Sequence, residues 1–420
     1  MNVEAAFDLE RVRADFPILS QEVNGRPLVY LDNGATTQVP NQVLDAIVQH
    51  YHHDNANVHR GIHTLSERST AALEAARKTV AAYLHAADAS EVAFTRGATS
   101  ALNMLAGSVE RSGLVGAGDV VAVTMLEHHA NFVPWQQLCK RTGARFQVVP
   151  LDERGDVDVA RLEELLEREP VKVLGTTHVS NVSGAVVPVA DLAERAHAAG
   201  ALFVVDAAQS IRHEPVDVQA IGCDFLAFSG HKTCAPTGIG VLWGRRSLLE
   251  TLQPVEFGGE MVDVVTSEDT SFEDPPLRFE AGTPNYVGAI ALAAALDYLC
   301  GIGRDNICCR EHELLAYAEE RIARVPGLSV VGRPGRRAGC LSFAVQDVHP
   351  FDLATLMDTQ GVALRSGNQC AQPLLHEALG VRNVTRLSPA FYNTFEEIDA
   401  CVAALERVVP LLQGTARSGR

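Results

Sequence analysis

Leu202-Phe-Val-Val-Asp-Ala-Ala-Gln209 and Phe225-Leu-Ala-Phe-Ser-Gly-His-Lys-Thr233 decide how this chain folds. Each is a short apolar run without alternation that ends on a charged side chain. A strand solvated on one face alternates apolar and polar residues, whereas an unbroken apolar run marks a strand covered on both faces. Working outward, Val120–Thr124, Phe146–Pro150, Val171–Gly175, Ala201–Val205, Phe225–Phe228 and Ile239–Trp243 read as strands of the same kind. Between two of them Val189, Leu192, Ala193, Ala196 and Ala199 fall at helical spacing, with Pro188 before and Gly200 after as start and stop signals. Strands alternating with helices predict an α/β fold, a largely parallel sheet with helices on both faces. Functional groups then belong at the carboxyl ends of the strands.

The pattern changes near Tyr286. An Ala/Leu-rich helix over Val287–Leu299 leads to a strand at Leu341–Val345 and an amphipathic helix over Glu396–Leu412, with a frayed tail expected from Gly414. The predicted division is an N-terminal segment over 1–27 packing with the small domain, a large domain over 28–288, and a smaller α+β domain over 289–420.

Composition narrows the function. The chain has 420 residues, 47% of them hydrophobic and 21% charged, an ordinary globular balance. A net charge of −17 argues against a broad nucleic-acid or anionic-membrane surface. No apolar run reaches the about 18 residues of a membrane span, and the acidic start Met1-Asn-Val-Glu-Ala-Ala-Phe-Asp8 does not read as a secretory signal. A soluble, cytoplasmic protein is expected. The nine cysteines are odd in number, irregularly spaced and lack a C-x-x-C pair, so free thiols and no metal site are expected.

The 35 basic residues include only four lysines. Lys78, Lys140 and Lys172 read as solvated charges on a helix face, at a helix end and at a strand start. Lys232 stands just past a buried strand, and Asp206 ends another. A carboxylate at the end of an apolar strand needs a partner, because burying it alone is costly. The pair suits pyridoxal phosphate, with the lysine as covalent anchor and the aspartate at the ring nitrogen; a structural ion pair is the alternative. Gly97-Ala98-Thr99 at a helix start leaves backbone N–H groups free for a phosphate. His128 follows another strand and could stack on a ring.

Taken together with Tyr30-Leu-Asp-Asn-Gly-Ala35, Asn57-Val-His-Arg-Gly-Ile-His-Thr-Leu-Ser66, Glu127-His-His-Ala-Asn131, Thr177-His-Val-Ser-Asn-Val-Ser-Gly184, Arg278-Phe-Glu-Ala-Gly-Thr-Pro-Asn285, Arg365-Ser-Gly-Asn-Gln-Cys-Ala371 and Tyr392-Asn-Thr394, these segments resemble the fold-type I pyridoxal-phosphate enzymes. More narrowly, the chain is similar to group II (Suf-type) cysteine desulfurases of the class V aminotransferase family, from about Leu28 to Val408.

The resemblance implies an enzyme that converts L-cysteine to L-alanine and passes the sulfur, as a persulfide, toward iron–sulfur cluster assembly or other sulfur trafficking. It implies that Lys232 carries the cofactor, Asp206 faces the ring nitrogen, Gln209 the phenolic oxygen, and His128 stacks on the ring. Ala98, Thr99, Ser229 and His231 would hold the phosphate, with Thr283 reaching in from the partner of a homodimer. Arg386 would clamp the substrate carboxylate, with Asn181 and Arg365 beside the substrate, and Cys370 would be the nucleophile that hands sulfur to an acceptor protein. The same pocket would suit a selenocysteine lyase or a cysteine sulfinate desulfinase. A related epimerase, aminotransferase or kynureninase-like lyase would not need Cys370, and a sulfur-relay scaffold would not need the lysine.

Three stretches depart from the family pattern. Asn368 and Gln369 replace histidines before Cys370, Phe351 stands where members serving a zinc-containing scaffold carry His, and Thr233-Cys234-Ala235 puts a second thiol after Lys232.

Overall fold

The computed structural model describes residues 7–418, with side chains to residue 414. Seven strands form one sheet: β1 (Val92–Thr95), β2 (Val120–Thr124), β3 (Arg145–Val149), β4 (Val171–Thr177), β5 (Leu202–Asp206), β6 (Phe225–Ser229) and β7 (Gly240–Gly244). Their spatial order is β1-β7-β6-β5-β4-β2-β3. All neighbours run parallel except β7, which is antiparallel to both β1 and β6. The reversal follows from chain length. Only residues 230–239 separate β6 from β7, and a parallel return needs a crossover of a dozen residues or more.

The unbroken apolar runs are buried as expected: every residue of β2, β6 and β7 is buried. Gly240 explains how β7 fits between its neighbours. A Cβ there would touch the Gly97 backbone and lie 2.6 Å from the carbonyl oxygen of Phe228, so no side chain is accommodated.

A second, four-stranded antiparallel sheet consists of β8 (Leu328–Val331), β9 (Leu341–Val345), β10 (Arg365–Gly367) and β11 (Val384–Leu387), in the order β8-β9-β11-β10. β8 and β9 are mostly apolar; β10 and β11 each carry an arginine that belongs to the cavity described below. The main helices are α1 (Thr64–Tyr83), α2 (Ala98–Arg111), α3 (Tyr286–Ile302), α4 (Arg304–Ile322) and α5 (Phe395–Ser418). Residues 414–418, expected as a frayed tail, continue α5 instead. Extending an existing helix fixes one residue per hydrogen bond, and a single glycine costs only about 1 kcal/mol against it.

The N-terminal segment is anchored by Phe16, whose ring lies 4.6 Å from Tyr392 and 5.9 Å from Tyr298, and by Arg13, which donates to Glu397 at 2.8 Å. No single helix among the described residues is long and apolar enough to cross a membrane. All nine cysteines are free.

One buried ion pair joins α1 to the sheet edge. Arg77 is 1% exposed and donates to both oxygens of Glu280, at 2.6 and 3.0 Å, and to the Val92 carbonyl at 2.8 Å. The same carboxylate accepts from the Phe94 N–H at 2.6 Å. Arg77→Ala would leave that charge buried without its partner, and we expect a loss of about 3–5 kcal/mol in urea unfolding.

Candidate active site

The strand ends converge on one cavity of about 510 Å³, lined on the sheet side by Ala98, Thr99, His128, Asn181, Asp206, Gln209, Ser229, His231 and Lys232. The C-terminal sheet and the loop after β10 supply Arg365, Cys370 and Arg386. Twelve positions far apart in sequence therefore meet in one place. Thr283 does not join them: it is exposed and lies outside the cavity of its own chain.

Lys232 is held by a short turn, Gly230–Lys232, directly after β6. Thr37 fixes that turn, its N–H donating to the His231 carbonyl at 2.9 Å. Burial, and then the Arg386 cation, lowers the Lys232 ammonium to about 8. Asp206 is buried, which raises its carboxyl pKa, while one of its oxygens accepts from the Ala208 N–H at 2.9 Å.

His128 is pushed down to about 3, first by burial and then by the Lys232 charge, so its imidazole is neutral at physiological pH. Its Nδ1 accepts from the Ala130 N–H at 3.0 Å, which places the ring proton on Nε2. Helix α2 starts at Ala98 without a side-chain cap, because Gly97 precedes it at φ +149°. The Ala98 N–H donates to Ser229 Oγ at 2.8 Å.

Arg386 is 3% exposed. It donates to the Asn181 carbonyl at 2.9 Å and to Asp32 at 3.3 Å, while its Nε has no partner. Asp32 also holds Arg365, at 3.0 Å. Asn181 in turn donates to the Gln369 carbonyl at 2.6 Å. The guanidinium is thus braced from behind with donor capacity left over.

Cys370 is exposed on a loop that places both Gln369 (φ +53°) and Cys370 (φ +54°) in the left-handed region. Such residues cost of order 1 kcal/mol or more each and persist only where the surroundings hold them. Asn368 Oδ1 accepts from the Cys370 N–H at 3.0 Å, the His129 N–H donates to the Cys370 carbonyl at 2.7 Å, and the Gln372 N–H donates to His129 Nε2 at 3.1 Å.

The model of the aminotransferase class-V family matches residues 29–401. This chain belongs to that family. Family members depend on pyridoxal phosphate. A cysteine desulfurase of Pectobacterium atrosepticum is 47% identical over 97% of this chain and 99% of its own length. The structure of the cysteine desulfurase CsdA from Escherichia coli matches with a TM-score of 0.88 at 39% identity, over 97% of this chain and all of that one. An apo cysteine desulfurase from Thermococcus onnurineus matches with 0.90 at 36% identity, over 96% of this chain and 98% of the other.

The residues present fit the family's cofactor. A buried carboxylate with one oxygen hydrogen-bonded to the Ala208 N–H, one lysine, a neutral imidazole and an uncapped helix start face the same space.

Several functional residues carry no apolar or periodic signal. Asp32, which braces two arginines, sits in the quoted stretch Tyr30–Ala35 and draws attention only through the family likeness. Glu127 is buried and accepts from the Thr177 N–H and Asn131 Nδ2, both at 2.8 Å, so it fixes the loop that carries His128. Asn368 has the specific task of holding the Cys370 amide. Cys234, expected as a second thiol near Lys232, does not line the cavity. Its N–H donates to Thr37 Oγ1 and its thiol is buried, which pushes it up to about 11. Cys370 is not the sole exposed thiol either, since Cys300 and Cys309 are exposed on helices.

Proposed function

We propose that this chain is a cysteine desulfurase that anchors pyridoxal phosphate on Lys232 and carries sulfur on Cys370. The observation that carries this reading is the exposed thiol of Cys370 lining the cavity that also holds Lys232 and Arg386. When bound, the cofactor draws electrons from the substrate's α-carbon and so weakens the bonds around it.

The chain's own residues supply the rest. Arg386, braced by Asp32 and Asn181, binds the carboxylate of L-cysteine through its free guanidinium edge. Lys232, neutral for a substantial fraction of the time near pH 8, takes and returns the α-proton. The Cys370 thiolate attacks the substrate sulfur, so a sulfur–sulfur bond forms as the carbon–sulfur bond breaks. Protonation of the carbon leaves L-alanine, and Cys370 holds the persulfide for an acceptor protein. Thr283, exposed and outside its own cavity, supports a homodimer in which it completes the partner's phosphate site.

Arg386→Lys would keep the charge and lose the fork. We expect KM for L-cysteine to rise roughly tenfold to a hundredfold with a smaller change in kcat, read by steady-state alanine production. The reading as a whole is tested by mass spectrometry after L-cysteine is added to the cofactor-loaded protein. One extra sulfur atom is expected on the Cys370 peptide; sulfur on Cys300 or Cys309 instead, or on none, would overturn it. Turnover of selenocysteine or cysteine sulfinate above that of cysteine would favour the lyase or desulfinase alternative.

A further inference from the structure

Away from the cavity described above, Glu214, Cys308 and His312 bring three different donor atoms within 4.8 Å of one another. Cys308 and His312 are one helical turn apart on α4, so both project from one face. Glu214 follows the short helix Ser210–His213 and is 4% exposed.

Two of the donor atoms face each other in a buried pair. Glu214 Oε1 and His312 Nε2 are shut off from solvent and lie 3.3 Å apart as an ion pair, without any other hydrogen-bond partner. Buried polar atoms are nearly always paired, and these two have only each other. Two ligands about 2.0–2.1 Å from one tetrahedral ion stand roughly 3.3–3.4 Å apart, the separation seen here. The other carboxylate oxygen accepts from Arg336 Nη2 at 2.7 Å, which fixes the direction of Oε1 in the way an outer-shell partner orients a ligand. The thiol is close by: Cys308 Sγ is 3.6 Å from His312 Nδ1, and the residue is half-buried. A turn about its Cα–Cβ bond is needed to bring the sulfur to the Nε2 side.

We propose that Glu214, Cys308 and His312 bind a divalent transition-metal ion of the zinc class. Mixed sulfur, nitrogen and oxygen donors suit zinc, and hard cations such as magnesium or calcium would reject the thiolate. Glu214 and Cys308 line a separate cavity of about 470 Å³, together with His85 and Asp305, through which an ion can approach the cluster. The ion would tie α4 to the stretch from Gln209 to Glu214, and so steady one wall of the cofactor site from behind. A search for C-x-x-C pairs cannot find this set, because one ligand is remote in sequence and the other two follow a C-x-x-x-H spacing.

The test uses the full-length, cofactor-loaded protein in Cys370→Ser form, which removes the exposed thiol of the other site. Zn²⁺ is buffered at graded free concentrations, and bound metal is measured by atomic mass spectrometry. About one ion per chain is expected, with a rise in Tm of at least about 3 °C at saturation. Cys308→Ser and His312→Ala should each weaken binding by at least about a hundredfold and abolish the rise, whereas Cys309→Ser should leave both unchanged. Tm in metal-free buffer shows whether each variant folds, and the near-isosteric Cys308→Ser keeps the test usable if His312→Ala does not. No bound metal in the parent protein, or equal retention by Cys308→Ser, would overturn the proposal. Because metal content is read directly, that failure would leave the desulfurase reading untouched.

Discussion

Lys232→Ala protein is expected to lose the cofactor's visible band and to turn over L-cysteine at least about a thousandfold more slowly. Lys78, Lys140 and Lys172 are absent from the cavity lining, so their alanine variants should keep both. The absorbance spectrum of the purified proteins distinguishes these outcomes directly, and a retained band in Lys232→Ala would refute the anchor. The environment adds a pH signature. A lysine attacks a carbonyl only as the neutral amine, and burial with Arg386 lowers this one to about 8. A lowered value means that the neutral form is reached at lower pH. Cofactor uptake by the stripped protein should therefore speed up about tenfold between pH 7 and 9 and then level off. An ordinary lysine would still be accelerating at pH 10.

Cys370→Ala should be as damaging by a different route. The visible band should persist, because Cys370 is not the anchor, while alanine formation from L-cysteine falls by more than about a thousandfold. Selenocysteine, whose selenium leaves more readily, should be less affected. Cys300→Ala and Cys309→Ala share the exposure of Cys370 without its place in the cavity, and should remain within about twofold of the parent. Unchanged alanine production by Cys370→Ala would falsify the nucleophile assignment.

Much of the frame was legible in the chain because burial on two faces leaves a plain mark. The runs at Val120–Thr124 and Phe225–Phe228 have no polar residue before the terminal Thr124 to confuse them, and both are strands within a residue of the expected ends. The lysine search rested on a similar mark, a charge just past an apolar run, and of the four lysines only Lys232 lines the cavity. What stayed hidden was set by tertiary context. Strands β10 and β11 are short and each points an arginine at the cavity, so neither shows a strand's hydrophobic pattern. Asp32, Glu127 and Asn368 act by holding other residues, and their value depends on partners up to hundreds of positions away. Cys234 misled because nearness in sequence to Lys232 does not fix which way a side chain turns. Its backbone adopts φ +64°, and the thiol is directed into the core.

The place of β7 also bears on how the molecule is made. β1 is the edge strand whose following turn leads to the helix start, Ala98-Thr99, that lines one part of the cavity, and its only strand partner among the described residues is β7. During synthesis β1 emerges well over a hundred residues before β7. Until Gly240–Gly244 leaves the ribosome, β1 has no neighbour to pair with and Gly97 has no wall behind it. Chains folding from the N-terminus can thus assemble the parallel strands first, but the cofactor site cannot close until a late strand slots in between β1 and β6. A nascent chain stopped before residue 240 should carry Lys232 and still be unable to retain pyridoxal phosphate.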